Sequence, residues 1–171
     1  MKKKKSFVAL ALVVAVLVLG VGYALNTIDL KVNGDITVSP DDSNFDVNFT
    51  DASITTAGTL TGKTDTADKG NGKTATLSVK TLKTVGEKVV AEYTITNNSK
   101  AGINATLSNP TATQTDDDAK DYYTVTATLA DANPIAPNGT KKLTVTVELV
   151  KAPLEEVTGN FTVTFNASAT K

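Results

Sequence analysis

The chain has 171 residues, 17 Lys or Arg against 18 Asp or Glu, a net charge of −1, and no histidine, cysteine or tryptophan. These absences exclude histidine- and thiol-based catalysis, histidine-ligated metal centres, disulfides and a thioether-linked lipid anchor, so a folded domain must rest on its apolar core. The near-neutral balance, with lysines scattered beyond residue 5, gives no positive field suited to nucleic acid.

Met1 is followed by Lys2, Lys3, Lys4 and Lys5, and then over residues 7–24 by an apolar or small-residue run that ends Gly22-Tyr23-Ala24. That is the order of a secretory signal peptide. Small residues are needed at the third and first positions before the cut, and Gly22 and Ala24 supply them, so cleavage is expected between Ala24 and Leu25. Residues 1–24 are thus read as a leader and residues 25–171 as a single domain. Retention of the run as a membrane anchor is the alternative; it approaches the lower limit of roughly 17 apolar residues for a spanning helix but has no positive flank after it. A pilin-like cut before Phe7 would leave an assembly helix, yet the chain turns at once into strand-like sequence.

From Leu25 onward apolar residues recur with period two. The sets are Ile28, Leu30 and Val32; Phe45, Val47 and Phe49; Ala75, Leu77 and Val79; and Val89, Ala91, Tyr93 and Ile95. They continue at Ile103, Ala105 and Leu107; Tyr123, Val125, Ala127 and Leu129; Leu143, Val145, Val147 and Leu149; and Phe161, Val163, Phe165 and Ala167. The interleaved Thr, Asn, Lys, Glu and Ser suit sheets with one wet and one buried face. Turn clusters separate the runs at Asn33-Gly34-Asp35, Gly70-Asn71-Gly72, Asn97-Asn98-Ser99, Pro137-Asn138-Gly139 and Thr158-Gly159-Asn160. Roughly eight or nine strands are expected, in an all-β, antiparallel two-sheet β-sandwich of jelly-roll or Ig-like Greek-key type. Residues 52–73 read as a long mobile connection, and residues 116–123 as room for a short helical turn.

Taken together, the Gly20-Val21-Gly22-Tyr23-Ala24 leader end, a first strand over residues 25–32 and a second at Gly34-Asp35-Ile36-Thr37-Val38 resemble the TasA/camelysin family of secreted, fibre-forming matrix proteins. So do Thr76-Leu77-Ser78-Val79, the Val85-Gly86-Glu87 step, the strand closing on Asn97-Asn98-Ser99, and the final Phe161 to Ala167 strand. Where the family carries an aromatic and an acidic or polar residue just after the cut, Leu25-Asn26-Thr27 follows here. The resemblance implies a sandwich fold, export and a place in matrix fibres. Protease activity attached to the camelysin name does not transfer, because no histidine exists for a zinc motif.

Two groupings suggest oxygen ligands for calcium: Asp116, Asp117 and Asp118 with Asp121, and the spaced set Asp42, Asn44 and Asp46. The latter lacks the turn Gly and the bidentate Glu of a calcium loop, with Val47 and Ser53 in those places, so solvated loop acids are expected and no metal or cofactor. Glu155 and Glu156 are adjacent and would face opposite ways in a strand, which gives no paired-carboxylate site. Sequons start at Asn48, Asn97, Asn104, Asn138, Asn160 and Asn166, and a Lys–Asn or Lys–Asp isopeptide crosslink is conceivable without any triplet to single out.

The first strand offers the reading of most interest. Ile28, Leu30 and Val32 either complete their own sheet or leave the subunit to fill an open edge in the next, giving a fibre by strand donation. The expectation is therefore a non-enzymatic, secreted structural protein of the matrix or cell surface, partnered by copies of itself or a related matrix protein, with the membrane involved only through a retained leader. A monomeric cell-surface adhesion or ligand-binding module is the alternative.

Overall fold

Alternating threonine with valine, leucine or an aromatic gives each segment one face that hydrates well and one that does not, and β-branched residues favour the extended backbone that separates the two. The computed structural model describes residues 27–32, 44–117 and 119–170. Among them ten strands form: β1 (Thr27–Val32), β2 (Val47–Thr56), β3 (Thr66–Asp68), β4 (Thr74–Ser78), β5 (Lys88–Asn97), β6 (Asn104–Leu107), β7 (Thr111–Gln114), β8 (Tyr123–Leu129), β9 (Thr140–Leu149) and β10 (Phe161–Thr170). The alternation is strictest in β5, which buries Val89, Ala91, Tyr93, Ile95 and Asn97, and in β9, which buries Lys141, Leu143, Val145, Val147 and Leu149.

One sheet has the order β2-β5-β9-β8; the other has the order β3-β4-β1-β10-β6, with β7 also paired to β10. β3–β4 and β8–β9 join consecutive strands within a sheet, whereas β4 to β5, β5 to β6, β7 to β8 and β9 to β10 cross between sheets. The two buried faces share one core. Phe49 of β2 meets Tyr93 of β5 and, across the gap, Phe165 of β10, edge to face with ring centroids 5.8 and 6.0 Å away. Such pairs add about 0.5–1.5 kcal/mol each beyond the area they bury. The Tyr93 hydroxyl also crosses the core to donate to Thr76 O at 2.8 Å, so its polar tip is satisfied inside the apolar layer.

Several expectations need correction. Residues 52–73 are no featureless connection: β2 runs on to Thr56 and β3 pairs with β4 through Thr66↔Ser78, Ala67↔Leu77 and Asp68↔Thr76. β7 is an additional strand, held by its pairing to β10 rather than by an apolar pattern of its own. The contact of β1 with β4, at Lys31↔Thr74 and Val32↔Ala75, is parallel, unlike the other pairings. Between β7 and β8 the chain turns, with Tyr122 N donating to Ala119 O at 3.0 Å, and no helix forms among the described residues. The expected leader, the cut defined by Gly22, Ala24 and Leu25, the strand at residues 34–38, and Asp42 and Asp118 lie outside the described residues.

Candidate assembly site

β1 occupies a slot one strand wide, between β10 on one side and β4 on the other. Its antiparallel register with β10 runs over six residues, from Thr27↔Ser168 to Val32↔Val163. Ile28, Leu30 and Val32 stand opposite Ala167, Phe165 and Val163, and these three residues of β10 are buried. With β4 the contact is two residue pairs long. Removing β1 would open two strand edges facing each other, each with a ladder of N–H and C=O groups to satisfy.

The edges formed by β2, β6, β3 and β7 are closed by local devices. β2 carries Asp51 and breaks its register between Phe49 and Asp51 and again between Ile54 and Thr56. Its outward groups at the start are taken: Phe49 N donates to Gly72 O at 2.7 Å, and Val47 O accepts from Lys73 Nζ at 2.7 Å. β6 is capped by Ile135, which exchanges two backbone hydrogen bonds with Ala105 at 2.9 and 2.7 Å. β3 and β7 are three and four residues long.

Asn97 fixes the β6 cap in place. The strand pattern carries it inward, fully buried, where Nδ2 donates to Ile103 O at 2.9 Å and to Ile135 O at 2.8 Å. Its Oδ1 accepts from Ser99 N at 3.0 Å, so the whole amide is used. Sequence reasoning read Asn97 as a turn residue and a sequon; the missed signal is that it continues the inward positions of Tyr93 and Ile95. A glycan on this nitrogen would replace one of its two donor hydrogens at a fully buried position, breaking a bond that the fold needs.

The described members of the candidate ligand sets are engaged with neighbouring side chains. Asp46 is neutralised by Lys73 Nζ at 2.8 Å and accepts from Asn48 Nδ2 at 2.6 Å. Asp117 pairs with Lys120 at 2.8 Å, and that hydrogen bond and charge hold its carboxyl below the usual range. No group of three or more Asp or Glu side chains that could hold a metal occurs among the described residues. Glu156 pairs with Lys63 at 3.0 Å. Lys141, the best-buried lysine among the described residues, is committed to Asp131 Oδ1 at 2.9 Å, Asp131 O at 3.1 Å and Asn133 O. Three acceptors thus use the three ammonium donors. Asp131 is lowered in turn, chiefly by its hydrogen bond with Lys141.

Two further carboxylates serve as loop clasps, and neither was singled out from sequence. Asp65 takes the backbone N–H groups of Lys80 at 2.6 Å and Thr81 at 3.1 Å together with the Thr81 hydroxyl. Glu87 accepts from the Thr59 hydroxyl and from Lys83 N and Thr84 N at 2.6 and 3.0 Å. Those bonds, the Thr59 hydroxyl first, lower its pKa to about 2. The structure thus presents edges, slots and clasps, with no constellation of reactive groups among the described residues. No family model matches the chain, and no curated protein or solved structure is significantly similar to it.

Proposed function

We propose that the chain is an exported, non-enzymatic structural protein of a bacterial matrix or cell surface, with its first strand as the assembly element. The fold is read as a two-sheet β-sandwich with Greek-key-type crossings, and the resemblance to the TasA/camelysin proteins favours the same role. The observation that carries the reading is the slot: a six-residue strand near the start of the chain fills a gap between β10 and β4. A strand of the same sequence from another copy would make the same backbone bonds there, with alternate side chains setting the register. Repeated head to tail, that exchange gives an open fibre.

The test compares residues 25–171 with a chain beginning at Gly34, by negative-stain electron microscopy and sedimentation, adding a synthetic peptide of residues 25–33 to the shorter chain. Strand donation requires filaments from the longer chain alone and uptake of the peptide by the shorter one. Compact monomers from both chains would leave the alternative, a monomeric surface module that keeps β1 at home and binds through its loops.

A further inference from the structure

We propose a second self-association surface, independent of what β1 does: the free edge of β8, which pairs with β8 of a second copy about a two-fold axis through Ala127. Every other edge of the two sheets is shortened, bulged or capped as described above, whereas β8 is seven residues long and pairs with β9 without a register break. Its sequence, Tyr123 to Leu129, contains no charged residue, no proline and no glycine. Natural edges are protected by those very features. An edge that has none of them is a template for another strand.

The register follows from the ladder. Ala130 N donates to Lys142 O, and Val150 N donates to Tyr122 O. Hydrogen-bonded pairs alternate along an antiparallel ladder, so Thr124, Thr126 and Thr128 bond inward to β9, and Tyr123, Val125, Ala127 and Leu129 turn their N–H and C=O outward. The outward C=O of Tyr123 is indeed engaged from outside, by Gln114 Nε2. β7 lies beside β8, and this is its one hydrogen bond to β8 among the described residues. That leaves Val125, Ala127 and Leu129 available. An antiparallel copy centred on Ala127 uses all three, pairing Val125 with Leu129 and Ala127 with itself. Thr126 then opposes Thr128 of the other copy on the solvent face, a favourable cross-strand pair. The register keeps Asp121 and Asp131 from facing each other, and the two four-stranded sheets become one of eight strands. A neutral, threonine-faced edge of this kind is complementary to itself, which is why the occupant is a second copy.

The chain has no cysteine, so crosslinking of the full chain has no background. In the proposed register Thr126 and Thr128 of facing copies form a non-hydrogen-bonded pair about 4.5 Å apart at Cα, within disulfide reach. Two copies of Thr126 sit diagonally, about 7–8 Å apart. An oxidised mixture of T126C and T128C chains should therefore give at least about tenfold more dimer than either alone. Sedimentation supplies a second readout: T126K/T128K, with like charges opposed twice, should weaken the dimer about tenfold, while T126K/T128E restores it. The proposal is overturned if the unsubstituted chain is monomeric at all concentrations. It is equally overturned if T126C crosslinks best to itself, or if T126C instead crosslinks to a D29C chain, which would make β1 the occupant of the edge.

Discussion

Replacing Asn97 tests whether the β6 cap is held by a single buried amide. Asn97→Ala removes three hydrogen bonds and leaves Ile103 O, Ile135 O and Ser99 N without that partner in a fully buried position. At about 1 kcal/mol net per bond, with more for groups left unsatisfied, the loss is about 3–5 kcal/mol. With a urea m-value of about 1.5 kcal/mol/M, the midpoint should fall by about 2–3 M. Asn97→Asp keeps the shape and changes the sign of the contact, since a carboxylate would face two carbonyl oxygens. The introduced carboxyl therefore has a folded pKa raised above its unfolded value of about 3.9. Below the unfolded value both states are protonated and the penalty is smallest; it grows as pH rises from there to the folded value and is then constant. Urea titrations of both variants from pH 3 to 8 read this directly. A cost below about 1 kcal/mol for Asn97→Ala, or a pH-independent cost for Asn97→Asp, would refute the bracket.

Glu87 gives the opposite pH signature. Its folded pKa of about 2 lies below the ordinary 4.5, so its contribution is complete above about 4.5 and disappears as pH falls towards 2. Glu87→Gln should flatten that part of the stability curve and leave the neutral region lower than in the parent, as read by urea midpoints over pH 2–6. Gly70 and Gly62 both have positive φ, at 58° and 79°, but a Cβ at Gly70 would lie 2.0 Å from Thr74 O, whereas at Gly62 it would meet nothing within 4 Å. Gly62→Ala should cost about 1 kcal/mol; Gly70→Ala should cost clearly more and displace the β3–β4 turn, and equal melting temperatures for the two variants would contradict this account.

The long strands were legible because their alternation is a direct consequence of one dry and one wet face. β5, β9 and β10 follow the apolar positions almost residue by residue. β3 and β7 were not legible, since Thr66-Ala67-Asp68 and Thr111-Ala112-Thr113-Gln114 hold strand geometry through their partners β4 and β10. Nor could local pattern show that β1 meets β4 in parallel, a relation set by crossings between sheets. Asn97, Asp65 and Lys141 illustrate a further limit. Turn propensity or surface charge is their default reading, and only the three-dimensional supply of carbonyls, amides and a carboxylate makes their burial favourable. The candidate slot was visible as an apolar stripe, whereas the β8 edge was not: which strand ends a sheet is a property of topology.

The pairing of β1 with β10 also has a mechanical side. Because Thr27 lies opposite Ser168 and the strands run antiparallel, tension applied through the segments before Thr27 and after Thr170 pulls at the same end of the pair. Such a load parts the backbone bonds one after another, as a zipper opens, at low force. Held lengthwise in a neighbouring subunit, the same six register pairs would be sheared together and share the load. A strand easily peeled at home would then be strongest where it joined two subunits.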